Sequence, residues 1–181
     1  MKSYRNDPDR TAETVDADGW VSTGDVGVID ADGYVTIVDR KKELIINSAG
    51  KNMSPANIES TIHAASPLIG SVMAIGDRRK YVTALITLEP EAAAEFAAEH
   101  GIEGSPRALA ADPDVRRRLD AAVAAANARL SRVEQVKAYT VLPVFWEPGS
   151  DEITPTMKLR RAVIAKKYAG EIDALYARDR T

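Results

Sequence analysis

The sequence has few of the side chains that usually act as nucleophiles or bind metal ions, and this excludes several classes of reaction. The sequence has no cysteine, so disulfides, thiolate metal sites and cysteine nucleophiles are excluded. Its two histidines, His63 and His100, are isolated, and neither has carboxylate or thiol partners at metal-ligand spacing. We therefore assign no metal site to this sequence.

Charged side chains are numerous, and their types alone do not select among them; three that lie in polar or turn-like segments are Asp25, Arg40 and Lys158. Asp25 follows Gly24, and its carboxylate can accept hydrogen bonds from two neighbouring hydroxyls. Arg40 has a planar guanidinium that suits bidentate contacts. Lys158 follows a threonine- and proline-containing segment. Each also has an ordinary interpretation, as a turn aspartate, a solvated charge and an exposed lysine.

The composition fits one globular core with a well-solvated surface. The chain has 181 residues, of which 45% are hydrophobic and 28% charged, and its formal net charge is −3. This balance gives no reason to expect nucleic acid as a partner. No apolar run approaches the roughly 20 residues that span a bilayer, and the polar N-terminus does not resemble a secretory signal. We expect a cytoplasmic protein.

The first forty residues predict β-structure separated by acidic turns. The sequence D-A-D-G occurs at residues 16–19 and 30–33, each time before aromatic and β-branched residues. Asp-Gly supplies the positive φ that hairpin turns require. A calcium loop is the sharper interpretation, but the other ligand positions and the terminal glutamate of an EF-hand are missing. We predict turns.

The middle of the chain predicts a loop, a helix and a hairpin. A loop at residues 47–52 leads to Ser54 and Pro55, which open a helix because serine caps it and proline is tolerated at its first position. Two apolar runs, at residues 69–75 and 81–88, predict a pair of strands joined by a short turn.

The rest of the chain alternates helices with one more strand. The alanine-rich stretch at about 89–136 predicts two helices, the first ending at Gly101 and the second beginning at Asp112. Residues 137–145 predict a strand, and a last helix follows from about Leu159. The fold class is therefore α+β, with a small, mainly hairpin-connected mixed sheet packed with helices.

Three segments, in order along the chain, resemble the adenylate-forming superfamily, which includes acyl-CoA synthetases, luciferases and peptide-synthetase adenylation domains. GWVSTGDVG at residues 19–27 is similar to the family's W-x-x-T-G-D-x-G sequence. VDRKKELI at 38–45 resembles its D-R-x-K-E-L-I linker, and the loop SAGKNMSP follows at 48–55. EITPTMKLRR at 152–161 resembles the C-terminal lysine segment, with Ile153 in place of leucine. The loop and the long helical stretch favour long-chain fatty acyl-CoA synthetases.

The resemblance implies a role for each candidate residue. Asp25 would accept hydrogen bonds from the nucleotide ribose, and Arg40 would approach the ribose or the phosphates. Lys158 would stabilise the transition state of adenylation. Gly50 and Lys51 would line the pantetheine passage of coenzyme A, although for Lys51 a plain strand-to-helix turn is the competing interpretation.

The resemblance also implies a division of the chain. Residues 1–38 would be the terminal β-segment of a large adenylating domain, and residues 43–181 a C-terminal lid domain. Residues 39–42 would be the hinge linker, with Asp39 and Lys42 as the hinge residues. A few residues that absorb a large change in φ and ψ suffice for such a motion.

The implied activity has two half-reactions. A fatty acid carboxylate attacks the α-phosphate of ATP, which gives acyl-adenylate and pyrophosphate, and the thiol of coenzyme A then displaces AMP. Mg²⁺ would accompany ATP and be bound mainly outside this chain. The glycine- and threonine-rich loop that holds ATP phosphates in the family is missing from the sequence. We therefore expect the C-terminal fragment of a larger enzyme, inactive alone.

Two other classes of protein stay open. A luciferase-like or carrier-protein-loading enzyme would share the three segments and differ in its acceptor. A stand-alone binding or regulatory module is the other alternative, but strands taken from a larger sheet would leave unpaired edges. A fatty substrate would suit peripheral membrane association, although no segment requires it.

Overall fold

The structure is a computed structural model that describes residues 3–177. Its contacts divide the chain into two compact units, of which the first ends at Leu44 and the second begins at Ile45. This boundary follows the predicted hinge at residues 39–42. The hinge itself and the other predicted domain limits stay predictions.

The described part of the first unit, residues 3–44, contains one helix and one pair of strands. Helix α1 spans Pro8–Thr14, and strands β1 (Asp25–Ile29) and β2 (Val35–Arg40) pair antiparallel. The expectation of β-structure throughout the first forty residues does not hold for the helix. Asp7 caps it by accepting a hydrogen bond from a backbone N–H, and proline occupies its first position, where no donor is needed.

The two acidic segments are turns, as predicted. Asp16 and Asp30 each accept two backbone N–H hydrogen bonds through the side chain, at 2.9–3.0 Å. The glycine of each turn, Gly19 and Gly33, has a positive φ of 87° and 88°. A carboxylate used in this way organises its own turn, and a calcium ion is not needed to explain it.

The second unit begins with a short ribbon and a helix. Strands β3 (Ile45–Ile46) and β4 (Asn52–Met53) pair antiparallel around the predicted loop. Helix α2 (Pro55–His63) follows at once, with the Ser54 hydroxyl accepting a hydrogen bond from the backbone N–H of Asn57 at 3.1 Å. The cap and the proline predicted from the sequence therefore begin this helix.

A three-stranded mixed sheet forms the centre of this unit. Strands β5 (Ile69–Ile75) and β6 (Val82–Leu88) make the predicted hairpin. Strand β7 (Val136–Val141) pairs with β6 in parallel. A parallel partner requires a long crossover connection, and the helical stretch between β6 and β7 provides it.

The crossover contains three helices, where the sequence predicted two. They are α3 (Pro90–His100), α4 (Pro106–Ala111) and α5 (Pro113–Asn127). The additional helix, α4, begins at Ser105 and proline, the same signal that begins α2. The predicted last helix is also divided, into α6 (Arg161–Lys167) and α7 (Ala169–Ala177).

The sheet separates two apolar clusters. Val72, Ala74 and Ile86 belong to the first cluster, whereas Met73 and Leu85 belong to the second. This alternation follows because successive side chains of a strand point to opposite faces. The first cluster includes residues of α2 to α5, and the second includes residues of α6 and α7. In the described part of the chain, no helix is long and apolar enough to cross a membrane.

Candidate functional site

The two predicted nucleotide contacts lie directly opposite each other in the first unit. Asp25 and Arg40 are partners in the β1–β2 ladder, and Nε of Arg40 lies 2.8 Å from Oδ1 of Asp25. The ladder continues through a hydrogen bond from the backbone N–H of Lys41 to the carbonyl of Gly24, at 2.8 Å. Strand pairing therefore brings together a carboxylate and a guanidinium that the sequence separates.

The two predicted hinge residues have different surroundings. Asp39 is buried, and its Oδ1 accepts a hydrogen bond from the backbone N–H of Arg40 at 2.7 Å. Lys42 is exposed in the turn that follows β2. Within this unit, Asp39 is therefore held in place and Lys42 is accessible to solvent. Their role as hinge residues stays a prediction.

The predicted coenzyme A loop is organised by Asn47, which the sequence analysis did not single out. The side chain is buried, and its Oδ1 accepts hydrogen bonds from the backbone N–H groups of Ala49 and Lys51, both at 3.0 Å. Gly50 has a φ of 74°, and no atom lies within 4 Å of where its β-carbon would be. The backbone at Gly50 is thus open to a thin ligand. Asparagine at the start of a loop favours such side-chain hydrogen bonds to the backbone, so the sequence contains a signal for this role of Asn47.

Lys158 ends a short exposed turn in the second unit. Its carbonyl accepts a hydrogen bond from the backbone N–H of Thr154 at 2.9 Å, and its N–H donates to the Thr154 hydroxyl at 3.0 Å. A β-bridge between Ile153 and Leu159 closes the base of the turn. The backbone that carries Lys158 is fixed, while the side chain is exposed.

The loops that carry Lys51 and Lys158 have the same backbone design. In this five-residue turn, the backbone N–H of the first residue donates to the carbonyl of the fifth, and a side-chain oxygen of the first accepts from the N–H of the fifth. The fourth residue has a positive φ and donates its N–H to the carbonyl of the first. The same arrangement occurs at residues 16–20 and 30–34. Lys51 and Lys158 therefore occupy equivalent positions.

A buried carboxylate anchors the start of the Lys158 turn. Glu152 accepts hydrogen bonds from Nζ of Lys167 at 2.6 Å and from the hydroxyl of Tyr168 at 2.9 Å. The indole N–H of Trp146 donates to the same hydroxyl at 3.3 Å, and the backbone N–H of Arg160 donates to the carbonyl of Glu152 at 2.7 Å. These contacts join the two ends of the turn.

The same contacts change the titration of the groups involved. Burial alone would raise the pKa of Glu152, but the hydrogen bonds from Lys167 and Tyr168 outweigh it and lower the pKa. The hydrogen bond to Glu152 raises the pKa of the Lys167 ammonium. Burial raises the pKa of the Tyr168 phenol. At neutral pH the cluster is therefore a carboxylate held by an ammonium and a neutral phenol.

A second ion pair holds the end of the turn. Both terminal nitrogens of Arg161 lie 2.6 Å from the two carboxylate oxygens of Glu59 on α2. Glu59 also accepts a hydrogen bond from the backbone N–H of Ala74 on β5 at 2.8 Å. Arg161 follows Lys158 by three residues, so this pair connects the candidate catalytic turn to a helix and to the central sheet. No local sequence spacing predicts the pair, because 102 residues separate its members.

The described residues do not contain a ready metal site. Across residues 3–177, no three histidine, aspartate or glutamate side chains lie together in a way that could hold a metal ion.

The sequence of this chain matches a known protein family. Residues 42–180 match the family described as the AMP-binding enzyme C-terminal domain, which covers most of the chain. The chain belongs to this family. The match includes the Asn47 loop, the Glu59–Arg161 pair and the Lys158 turn.

Curated relatives extend well beyond this chain. It is 60% identical over 177 residues to a protein of Mycobacterium tuberculosis named putative fatty-acid–CoA ligase fadD11, with 98% of this chain and 31% of the relative covered. It is 41% identical over 164 residues to the long-chain-fatty-acid–CoA ligase FadD15 of the same species, with 90% and 27% covered. The chain thus spans less than a third of the length of these relatives.

Solved structures show the same fold. The adenylation domain of a carboxylate reductase from Mycobacterium chelonae is 27% identical and has a TM-score of 0.74, with 97% of this chain and 26% of that chain covered. The corresponding domain from Segniliparus rugosus, in complex with AMP and a carboxylic acid, is 23% identical with a TM-score of 0.75 over 98% of this chain and 26% of that one. The latter likeness concerns the fold alone.

Proposed function

We propose that this chain is the C-terminal part of an ATP-dependent fatty acyl-CoA synthetase, in which Lys158 stabilises the adenylation transition state. The observation that carries the proposal is the exposed Lys158 side chain on a turn anchored at both ends, in a chain that is 60% identical to a named fatty-acid–CoA ligase. Fatty acid, ATP and coenzyme A are the proposed substrates. Mg²⁺ would enter with ATP and be bound mainly outside this chain.

In the first half-reaction, a carboxylate oxygen of the acid attacks the α-phosphorus of ATP and pyrophosphate leaves. Negative charge grows on the phosphoryl oxygens in the transition state, where a preorganised cation stabilises it most. The fixed backbone at Lys158 limits the motion of the ammonium to its own side chain, which lowers the entropy lost on binding.

The nucleotide would be oriented by residues of the first unit. The Asp25 carboxylate can accept hydrogen bonds from two ribose hydroxyls. The guanidinium of Arg40, paired with Asp25 at 2.8 Å, keeps donors free for the ribose or the phosphates. Because the Arg40 side chain is 60% exposed, its ion pair with Asp25 does not enclose those donors.

In the second half-reaction, the thiol sulfur of coenzyme A attacks the acyl carbonyl carbon and AMP leaves with the bonding electron pair. The pantetheine arm is thin and carries amides. The open backbone at Gly50, in a turn fixed by Asn47, can approach such a ligand closely. We assign Lys51 to the same passage, and rotation about residues 39–42 to the change between half-reactions.

A carrier-protein-loading enzyme is the second candidate function. The observation that favours it is the 27% identity to the adenylation domain of a carboxylate reductase. The higher identity to fatty-acid–CoA ligases supports coenzyme A instead. Product formation by the full-length protein with coenzyme A as the sole acceptor separates the two, because a loading enzyme would stop at acyl-adenylate.

The test of the proposal is Lys158→Ala in a full-length synthetase carrying this sequence. Adenylation, measured by acid-dependent exchange of pyrophosphate into ATP, is expected to fall by about 10²–10³-fold. Thioester formation from supplied acyl-adenylate should change far less. Lys166→Ala, which removes an exposed lysine of α6, is the control. Equal loss in both half-reactions, or equal effects of the two substitutions, would reject the assignment of Lys158.

Cytoplasmic location and peripheral membrane contact stay predictions. Sedimentation of the full-length protein with and without anionic lipid vesicles measures the second directly.

A further inference from the structure

Met157 stands where the other turns of the same design have glycine. The fourth residue of the turn is Gly19, Gly33 and Gly50 in three places, with φ between 74° and 88°. In the turn that carries Lys158 it is Met157, with a φ of 63°. A side chain other than glycine or asparagine is unfavourable there, because its β-carbon comes close to the backbone.

Among the described residues 45–177 of its unit, the Met157 side chain is not part of the apolar core that could offset this strain. It is 64% exposed and belongs to neither apolar cluster. Its backbone N–H donates to the carbonyl of Thr154 at 2.9 Å, a bond that glycine would make equally well. A non-glycine residue in this region is energetically costly, and such residues cluster at functional sites, although Asn6 and Arg78 also have a positive φ of 56° in this chain.

We propose that Met157 is a substrate-contacting residue that packs against the alkyl chain of the fatty acid next to its carboxylate. The inference rests on the proposed function of Lys158. Adjacent α-carbons are about 3.8 Å apart, so a turn that brings Lys158 to the reacting carboxylate also brings Met157 to the same region.

The chemistry of the side chain selects the acyl half of the ligand. Acyl-adenylate has a polar, charged nucleotide half and an apolar acyl half. A thioether chain is apolar, flexible and polarisable, and it adapts to alkyl groups of varying shape. Thr154 and Thr156 bond to each other through their hydroxyls at 3.1 Å, which leaves Met157 as the long apolar side chain of the turn.

The experiment compares Met157→Gln with Met157→Leu in the full-length synthetase. Both keep the β-carbon and the strained backbone; glutamine matches the length of methionine but is polar, whereas leucine is shorter and branched but apolar. Met157→Gln is expected to raise KM for hexadecanoate by about 10-fold, the effect of losing one apolar contact, while KM for ATP stays unchanged. Met157→Leu should remain within about twofold of the wild type, as volume-conserving apolar exchanges usually do.

Met157→Gly distinguishes the proposed side-chain contact with the fatty acid from the backbone strain at residue 157, because it removes both. It should raise the melting temperature of the 181-residue chain and raise KM for hexadecanoate as the glutamine variant does. Lys158→Ala, run in parallel, tests the underlying function: if adenylation survives that change, the proposed function fails first. If Lys158→Ala is inactive while Met157→Gln and Met157→Gly keep the wild-type KM for hexadecanoate, or change only KM for ATP, the inference about Met157 is wrong.

Discussion

Arg161 and Glu59 lie 102 residues apart in the sequence and form a two-pronged ion pair, with both N···O distances at 2.6 Å. The Glu59 side chain is 12% exposed and that of Arg161 is 24% exposed, so the pair is only partly screened by water. Its planar geometry satisfies both carboxylate oxygens at once. This pair holds the residue that follows Lys158 by three positions against α2 and β5.

Arg161→Ala is expected to lower the free energy of unfolding by about 1.5–3 kcal/mol, because it removes two charge-assisted hydrogen bonds from a largely buried carboxylate. Arg161→Lys keeps the charge but loses the fork, so its loss should be smaller. Urea unfolding of the 181-residue chain measures both. Arg117→Ala, which removes an exposed pair with Asp114, is the control and should cost less than about 1 kcal/mol. If Arg117→Ala and Arg161→Ala lower the free energy of unfolding by similar amounts, the Glu59–Arg161 pair contributes no more to stability than an exposed ion pair.

The Glu152 cluster predicts a loss of stability in acid. Because the folded-state pKa of Glu152 lies below its ordinary value, its contribution is fully present above about pH 4.3 and is lost as pH falls through the lowered pKa. The difference in unfolding free energy between the wild type and Glu152→Gln should therefore be largest near neutral pH and shrink in acid. Urea titrations at several pH values measure it. If this difference stays constant from pH 7 down to the lowest pH at which the protein is folded, the ionised Glu152 carboxylate does not stabilise the fold.

The Asp25–Arg40 pair should matter more for nucleotide binding than for stability. The two side chains are 26% and 60% exposed, so Asp25→Ala should change the free energy of unfolding by less than about 1 kcal/mol. In the full-length synthetase the same change should raise KM for ATP by at least about 10-fold, the effect of losing a charge-assisted hydrogen bond. Asp32→Ala, at an exposed carboxylate of the neighbouring turn, is the control. Equal KM values in the two variants would remove Asp25 from the nucleotide site.

Gly70 should be intolerant of a side chain. A β-carbon there would lie 2.5 Å from the carbonyl oxygen of Leu88, at an irregularity in the β5–β6 ladder. Because this clash is with backbone atoms, the sheet itself must move, and Gly70→Ala should destabilise by about 1–3 kcal/mol or more. Gly104→Ala, where nothing lies within 4 Å, should be neutral or slightly stabilising. Thermal unfolding of the two variants side by side checks the contrast, and equal melting temperatures would refute it.

Local signals predicted most of the elements correctly, because the cap and turn residues act within four positions of themselves. Ser54 with proline began α2 as predicted, and Asp112 with proline began α5. The same signal, a capping side chain followed by proline, is present at Asp7 and Ser105, where α1 and α4 begin. The sequence therefore contains the information for these two helices as well.

Other features were not readable because they depend on residues far apart. The parallel pairing of β7 with β6 requires knowledge of where the crossover helices return the chain. Tyr168 interrupts the predicted last helix with φ −108° and ψ 29°, while its hydroxyl bonds to Glu152. No local propensity at Tyr168 predicts that partner.

The sequence by itself determined the family, the order of the three segments and the identity of the candidate residues, since each segment is recognised from contiguous residues. Only the tertiary structure decided how Lys158 is held, through Glu152 at one end of its turn and Arg161 at the other. It also showed that Lys51 and Lys158 share one turn design and that Met157 departs from it. The physical reason is that hydrogen bonds and ion pairs between distant residues form only once the backbone has brought their donors and acceptors within about 3 Å.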